Sequence, residues 1–181
     1  MPVHTETVHT EPVHTDPAHP AARHTQPLRD EHRELRPHID ELVAVADLLD
    51  DHRPGELGDR LAAASSFVNG HLLRHAGAEE AALYPVVGRA MGSTDATATM
   101  SRDHREIAAF GERLAQLVED ARGGRGDTTA LRRVLYGLHA IVALHFAKEE
   151  EVYLPLLDER LTPEEAARLF AGMEAAAAAS E

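Results

Sequence analysis

The chain has 181 residues, a formal net charge of −13 and 43% hydrophobic residues, with no cysteine or tryptophan. The absence of cysteine excludes disulfides and thiolate metal sites, and the negative charge disfavours nucleic acid or an anionic membrane as a partner. Because the sequence has neither a secretory signal pattern nor an apolar run of about 18 residues, we expect a cytoplasmic protein with one main domain and no membrane span.

Residues 1–27 are the first distinct segment, in which histidine recurs at every fifth position from His4 to His24. Threonine, proline and acidic residues fill the gaps, and a period of five matches neither a helix nor a strand. We predict a disordered tail. Its imidazoles could bind a divalent metal weakly, but we favour the interpretation that the repeat has no specific role.

Residues 28–158 carry the three- and four-residue spacing of apolar side chains that indicates amphipathic helices. Four helices are predicted: residues 28–49 with a kink at Pro37, residues 56–90 with a bend near Pro85, one capped by residues 93–95 and ending near 123, and one running from 127 to about 158. Thr162 and Glu165 predict the start of a short fifth helix within residues 159–181. The predicted fold is all-α, an antiparallel up-down-up-down four-helix bundle.

The same sequence motif occurs in both halves of the predicted bundle. Glutamate follows histidine by four residues in His75–Glu79 and again in His145–Glu149, and a proline stands at the same distance beyond each pair. A lone histidine precedes each pair, within Asp30-Glu-His-Arg-Glu-Leu35 and Arg102-Asp-His-Arg-Glu-Ile107. The order of these residues indicates a duplicated helical pair that offers four imidazoles and two carboxylates.

Residues four apart on a helix share one face, so each histidine–glutamate pair is expected to aim at one point inside the bundle. Burying such groups without partners would cost several kcal/mol each, and a metal supplies the compensation. Iron, manganese and zinc all suit these ligands, and the number of ligands favours two ions with a coordination position left open. The alternative is a core of hydrogen-bonded histidines. We interpret the neighbouring Glu80, Glu150 and Glu151 as solvated.

The ordered set of six residues resembles the hemerythrin-like HHE cation-binding family. The resemblance covers residues 28–158 and includes the Leu-Tyr-Pro and Tyr-Leu-Pro stretches that follow the two glutamates. It implies a four-helix bundle around a non-haem centre of two iron ions. The residues that match the bridging positions are Glu79 and Glu149, and those that match the terminal positions are His32, His75, His104 and His145.

The chain departs from the oxygen-carrying hemerythrins, which have a fifth histidine four residues from the lone histidine of the third helix. The positions four residues from His104 are Met100 and Ala108, which disfavours reversible oxygen carriage. A further ligand, or a group that supports one, could come from His71, one turn before His75, or less readily from His38. The tyrosines Tyr84 and Tyr153 could also reach the metals, although we expect their hydroxyls to lie in solvent at the helix ends.

Three classes of function remain open at this point. The centre could be a redox enzyme with catalase- or peroxidase-like activity, a protein that binds or senses oxygen or nitric oxide without turnover, or an iron buffer. The ligand in the first two classes is a diatomic molecule or peroxide. The missing fifth histidine leaves more exchangeable metal positions, which favours redox reactivity.

Overall fold

The computed structural model describes residues 23–50 and 54–179, and within these ranges the chain forms five helices and no strands. Helix α1 is Gln26–Asp47, α2 spans residues 54–91, α3 is Ala98–Arg122, α4 spans residues 128–160 and α5 is Pro163–Ala178. The all-helical architecture confirms the predicted fold class. No helix in the described ranges is long and apolar enough to cross a membrane. Residues 1–22 of the predicted tail lie outside them.

Side chains at the helix ends explain where two of the helices begin. The Asp127 carboxylate accepts a hydrogen bond from the Ala130 amide at 2.9 Å and caps α4, as predicted. Thr162 and Glu165 form a reciprocal capping box at the start of α5, also as predicted. Helix α3 begins later than residues 93–95 suggested, because those residues form turns that precede Ala98.

Helix α1 begins at Gln26, within the segment that the sequence assigned to the tail. The amide and the hydroxyl of Thr25 donate hydrogen bonds to the Asp158 carboxylate at 2.8 and 2.9 Å, and Thr25 is fully buried. This contact joins the start of α1 to the end of α4. A partner so distant in sequence gives no local signal, which is why the predicted boundary at residue 27 was too late.

The four long helices pack as a closed ring. Helix α1 contacts α2 and α4, and α3 contacts the same two helices. Because consecutive helices are joined by short connections, they alternate in direction and form the predicted up-down-up-down bundle. Helix α5 lies outside this ring and packs against residues 73–83 of α2. The first half of the repeat therefore has an outer cover from α5.

A polar layer divides the core of the bundle. One apolar cluster includes Leu42 and Leu114, both with no exposed surface, and a second cluster at the other end includes Leu83 and Leu157, which are equally buried. Each of the four bundle helices passes from one cluster to the other, and each places a histidine at the crossing, as His32 does in α1. The layer between the clusters is where the repeated histidines and glutamates lie.

Helices α2 and α4 widen at equivalent places within this layer. Each makes a π-helical turn, Glu79–Leu83 in α2 and Glu149–Tyr153 in α4, and a proline follows in the next turn. Proline lacks an amide proton and crowds the carbonyl four residues earlier, so a widened turn accommodates Pro85 and Pro155 without breaking the helix. At Pro85, where the sequence predicts a break or bend, the helix continues through a π-helical turn, and both turns begin at a repeated glutamate.

Candidate metal centre

The structure brings together all six residues that the repeat singled out. None of them is more than 8% exposed, and they lie in the polar layer between the two apolar clusters. The six are His32, His75, Glu79, His104, His145 and Glu149. Two sets of three, one of His32, His75 and Glu79 and the other of Glu79, His104 and His145, have potential ligand atoms within 4.8 Å of one another.

Glu79 lies between two pairs of imidazoles. Its Oε1 is 3.0 Å from His75 Nε2 and 3.7 Å from His32 Nε2, and we call these two histidines the first half-site. Its Oε2 is 3.2 Å from His104 Nε2 and 3.8 Å from His145 Nε2, and these two form the second half-site. The two oxygens of one carboxylate are thus divided between two pairs of nitrogens.

Glu149 spans the half-sites in the same way. Its Oε2 lies 3.4 Å from His32 Nε2 in the first half-site, and its Oε1 lies 3.5 Å from His145 Nε2 in the second. Each half-site therefore has two imidazole nitrogens and one oxygen from each of two carboxylates. The cluster thus offers two neighbouring groups of ligand atoms, each of which could hold a cation.

The hydrogen bonding of the cluster supports a cation. Among the described residues, buried atoms without a hydrogen-bond partner include Nε2 of His32 and His75, both Glu79 oxygens and Oε2 of Glu149. A buried polar group without a partner costs about 1–3 kcal/mol, and more when it is charged. These five atoms all face the centre, where a metal ion would satisfy them together. Nitrogen and carboxylate ligands fit iron, manganese and zinc.

The electrostatics of the cluster also favour positive charge at the centre. Burial lowers the pKa of His32, His75 and His145, but their contacts with the carboxylates outweigh burial and raise all three pKa values, that of His145 to about 10. Burial raises the pKa of Glu79, but the surrounding imidazoles outweigh it and hold that pKa well below its usual range. The ionised Glu79 carboxylate, buried at the middle of the cluster, provides a field that attracts cations.

The outer nitrogen of each imidazole is held by a carboxylate. The pairs are His32 with Glu150 at 3.1 Å, His75 with Glu31 at 2.9 Å, His104 with Glu80 at 2.9 Å and His145 with Asp103 at 3.3 Å. A carboxylate in this position orients the ring, favours the tautomer with its proton on Nδ1 and increases the basicity of Nε2. The Nε2 nitrogens of all four histidines therefore face the centre, where each could bind a metal ion.

For two of these carboxylates the sequence interpretation was incomplete. Glu80 and Glu150 were read as solvated residues, whereas each contacts a histidine of the opposite half of the repeat. Glu151 is exposed, as predicted. A signal was present, because an acidic residue precedes both lone histidines and a second glutamate follows both repeated ones. Glu80 is exposed, as predicted, and Glu150 is partly buried; the sequence missed their contacts with histidines, because runs of glutamate are common on helix surfaces.

Tyr84 lies inside the centre rather than in solvent. Its hydroxyl donates to Glu149 Oε1 at 3.1 Å and lies 3.2 Å from His104 Nε2. Burial and the nearby carboxylates raise its pKa, which keeps the phenol protonated as a donor. Tyr153 instead donates to the Ala96 carbonyl at 3.1 Å, away from the centre. In the repeat, the position equivalent to Tyr84 is occupied by Leu154. Tyr153 lies one residue earlier, and it therefore does not take the place that Tyr84 has at the centre.

The two additional candidates, His71 and His38, lie outside the cluster. Both side chains are exposed, and both rings stack on Phe67, at centroid distances of 6.0 and 4.7 Å. His71 lines a surface cleft that also reaches His75, but it is not among the residues that the structure gathers around the centre.

The chain was compared with protein-family models, curated proteins and solved structures. The model for the hemerythrin HHE cation-binding domain matches residues 23–157, which include all six clustered residues and the four outer carboxylates. No curated protein and no solved structure gives a significant match. Since the family match covers most of the chain and the geometry provides a buried cation site, the chain belongs to the hemerythrin HHE cation-binding domain family.

Proposed function

We propose that this protein holds a non-haem pair of iron ions and binds or reacts with molecular oxygen, peroxide or nitric oxide. The proposal rests on the way in which two carboxylates span the half-sites. Glu79 and Glu149 each direct one oxygen at the first half-site and the other at the second. One ion would leave half of these atoms without a partner. Two divalent ions satisfy both carboxylates and all four imidazoles.

Bound iron would supply one-electron redox chemistry and an exchangeable position for a small ligand. The protein's own groups prepare that chemistry. The carboxylates of Glu79 and Glu149 offset part of the metal charge, and the outer carboxylates fix the imidazoles. The Phe146 ring stacks on His32 at a centroid distance of 4.0 Å and covers one face of that imidazole.

Features of the second half-site favour reaction with a ligand over oxygen carriage. The helical position one turn before His104 is Met100, which is fully buried in an apolar cluster and offers no third imidazole. In place of a nitrogen, the Tyr84 hydroxyl lies beside His104 and Glu149, where it can donate a hydrogen bond to a small oxygen species. We therefore rank a catalase- or peroxidase-like reaction first. Ligand binding without turnover and iron buffering are the alternatives.

The test is metal analysis with a visible spectrum, before and after addition of hydrogen peroxide. The full-length chain is compared with a variant in which the tail histidines His4, His9, His14 and His19 are alanine, because the tail could bind metal on its own. We expect two irons per chain in both proteins and oxygen release from peroxide. Metal that disappears with the tail histidines would contradict the proposal. Retained iron without gas release would favour ligand binding, and ready loss to a mild chelator would favour buffering.

A further inference from the structure

A surface cleft of about 610 Å³ opens beside the second half-site. Glu80, Tyr84, Gly88 and Ser101 are among the residues that line it. The Tyr84 ring forms part of the wall and stacks on His104, with 5.3 Å between ring centroids and 10° between planes. At 8%, His104 is the most exposed of the six clustered residues. The cleft therefore adjoins the centre through the Tyr84 ring, on the side of His104.

The repeat shows what occupies the equivalent place beside the first half-site. When His32 is aligned with His104, and Glu149 with Glu79, Arg29 takes the place of Ser101 and Asp158 takes the place of Gly88. Arg29 Nη2 forms an ion pair with Asp158 Oδ2 at 3.0 Å, and its Nη1 donates to the carbonyl oxygen of Glu150 at 3.2 Å. This ion pair fills the position that is a cleft in the second half.

The side chains that hold the outer carboxylate also differ between the two halves. In the first half, Arg36 donates two hydrogen bonds to Glu150, at 2.9 and 3.0 Å. The aligned residue in the second half is Ala108, and the corresponding carboxylate, Glu80, is held by the Ser101 hydroxyl at 2.8 Å. The Glu150 side chain is 27% exposed and that of Glu80 is 40% exposed. Long cationic side chains thus close one side of the centre, and small residues open the other.

A second cleft, of about 320 Å³, reaches His75 from the side covered by α5. Its lining includes the carboxylates of Glu31 and Glu174 and one guanidinium, that of Arg74. Anionic ligands would meet a net negative charge there. The cleft beside Tyr84 has one carboxylate, one guanidinium and several hydroxyl groups. Its charge is balanced, which suits a small polar ligand that is neutral or carries one negative charge.

We propose that the cleft beside Tyr84 is the access route by which small neutral or singly anionic ligands reach the second half-site, with the Tyr84 ring as its gate. The Arg29–Asp158 ion pair closes the corresponding route to the first half-site. The inference rests on the proposed function, since it concerns ligands of the metal pair. It assigns different tasks to two half-sites that have the same ligand types.

Azide is a suitable probe, because it is a small anion whose binding to iron is followed by absorbance. Its association rate is measured by stopped flow on the iron-loaded full-length protein. Ser101→Arg places in the cleft the side chain that closes the first half, and we expect it to slow azide association. Ser101→Ala removes the same hydroxyl, which holds Glu80, without filling the cleft, so we expect azide to associate with Ser101→Arg more slowly than with Ser101→Ala, by about tenfold or more. Ala177→Phe fills the cleft beside His75 and should leave the rate unchanged.

Iron content and the final azide absorbance separate this inference from the proposed function. Wild-type protein without iron, or without an azide signal at saturation, would contradict the proposed function itself. Two irons and a normal final signal in every variant, with only Ala177→Phe slowed, would overturn the access route and move it to the side of His75. Arg29→Ser is an independent check if Ser101→Arg does not fold. We expect faster association because a second route opens, and an unchanged rate would mean that the ion pair closes nothing.

Discussion

The two half-sites offer the same types of ligand but differ in the residues around them. Each has two imidazoles and shares the same two carboxylates. The first half-site stacks against Phe146 and is closed by Arg29 and Asp158, whereas the second meets Tyr84 and an open cleft. The comparison indicates that both copies of the duplication keep the same types of potential metal ligand, whereas the residues around these ligands differ. Two half-sites with the same ligand types are therefore chemically distinct.

The bridging carboxylates are what the half-sites share, so their loss should have the largest effect. We expect Glu79→Ala and Glu149→Ala each to lose metal from both half-sites. Bound ligand stabilises a fold by about 2.7 kcal/mol when its free concentration is one hundred times Kd. For a chain of this size, that corresponds to roughly 5–10 °C in Tm. Metal content and thermal melting with and without iron measure the loss.

Two comparisons keep this result interpretable. Glu151→Ala removes an exposed neighbour of the same charge and should retain both metals and the wild-type Tm. Because Glu79→Ala also removes the charge partner of buried imidazoles and should itself lower the Tm of the metal-free protein, the loss of metal is measured as the rise in Tm on adding iron, which wild type should show and the variant should not. Variants at Glu79 and Glu149 that both keep two metals per chain would refute the bridging assignment.

The outer carboxylates should give the next largest effect and should distinguish the half-sites. We expect Glu150→Ala to weaken metal binding by about 10–100-fold, because it frees the His32 ring and leaves Arg36 without its partner. Glu80→Ala should weaken binding less, since the Glu80 carboxylate is more exposed and is held by a hydroxyl rather than by a cation. Competition with a metal chelator measures both affinities. Equal affinities in wild type and Glu150→Ala would show that Glu150 is only a surface residue.

The two tyrosines test the chemical difference more directly. Tyr84→Phe removes a hydroxyl that contacts Glu149 and His104, so we expect a changed visible spectrum of the iron-loaded protein and little loss of metal. Tyr153→Phe removes one hydrogen bond to a backbone carbonyl, and we expect about 0.5–1.5 kcal/mol of lost stability with an unchanged spectrum. Identical spectra for both variants would show that Tyr84 does not distinguish the half-sites.

Local rules predicted the bundle and the six clustered residues well. The period of apolar residues, the caps at Asp127 and Thr162 and the four-residue spacing of His75 and Glu79 depend on a few neighbouring residues, and a sequence displays them directly. Duplication added a second observation of the same motif. It made four histidines on the apolar faces of helices difficult to explain as an ordinary core.

The features that the sequence missed depend on contacts between helices. Glu80 contacts a histidine of α3, Glu150 contacts one of α1, and Thr25 is held by the end of α4. None of these partners is near in sequence. The position of Tyr84 depends on the rotation of α2 through a widened turn, which a regular helical period does not describe. Alignment of the two halves would have exposed the shift between Tyr84 and Tyr153, because equivalence within a repeat carries information that local periodicity lacks.

The smallest predicted effect concerns the ion pair that only the first half possesses. Burial raises the pKa of Asp158, but hydrogen bonds from Thr25 and Arg29 outweigh burial and lower that pKa below its ordinary value. A lowered pKa means that ionised Asp158 stabilises the fold above the unfolded-state pKa of about 3.9, and that this contribution is lost as pH falls through the folded-state value. Asp158→Asn still accepts hydrogen bonds, so it should cost only about 0.5–1 kcal/mol at pH 7.

The difference between Asp158→Asn and wild type should therefore disappear in acid, where Asp158 is protonated in both the folded and unfolded states. Urea denaturation of metal-free protein at several pH values measures it without interference from metal binding. The matched control is Glu151→Gln, which removes one exposed negative charge away from the ion pair. If the free energies of unfolding of Asp158→Asn and wild type differ by the same amount at every pH, Asp158 acts through its shape rather than its charge. The Arg29 contact would then close the first half-site by packing alone.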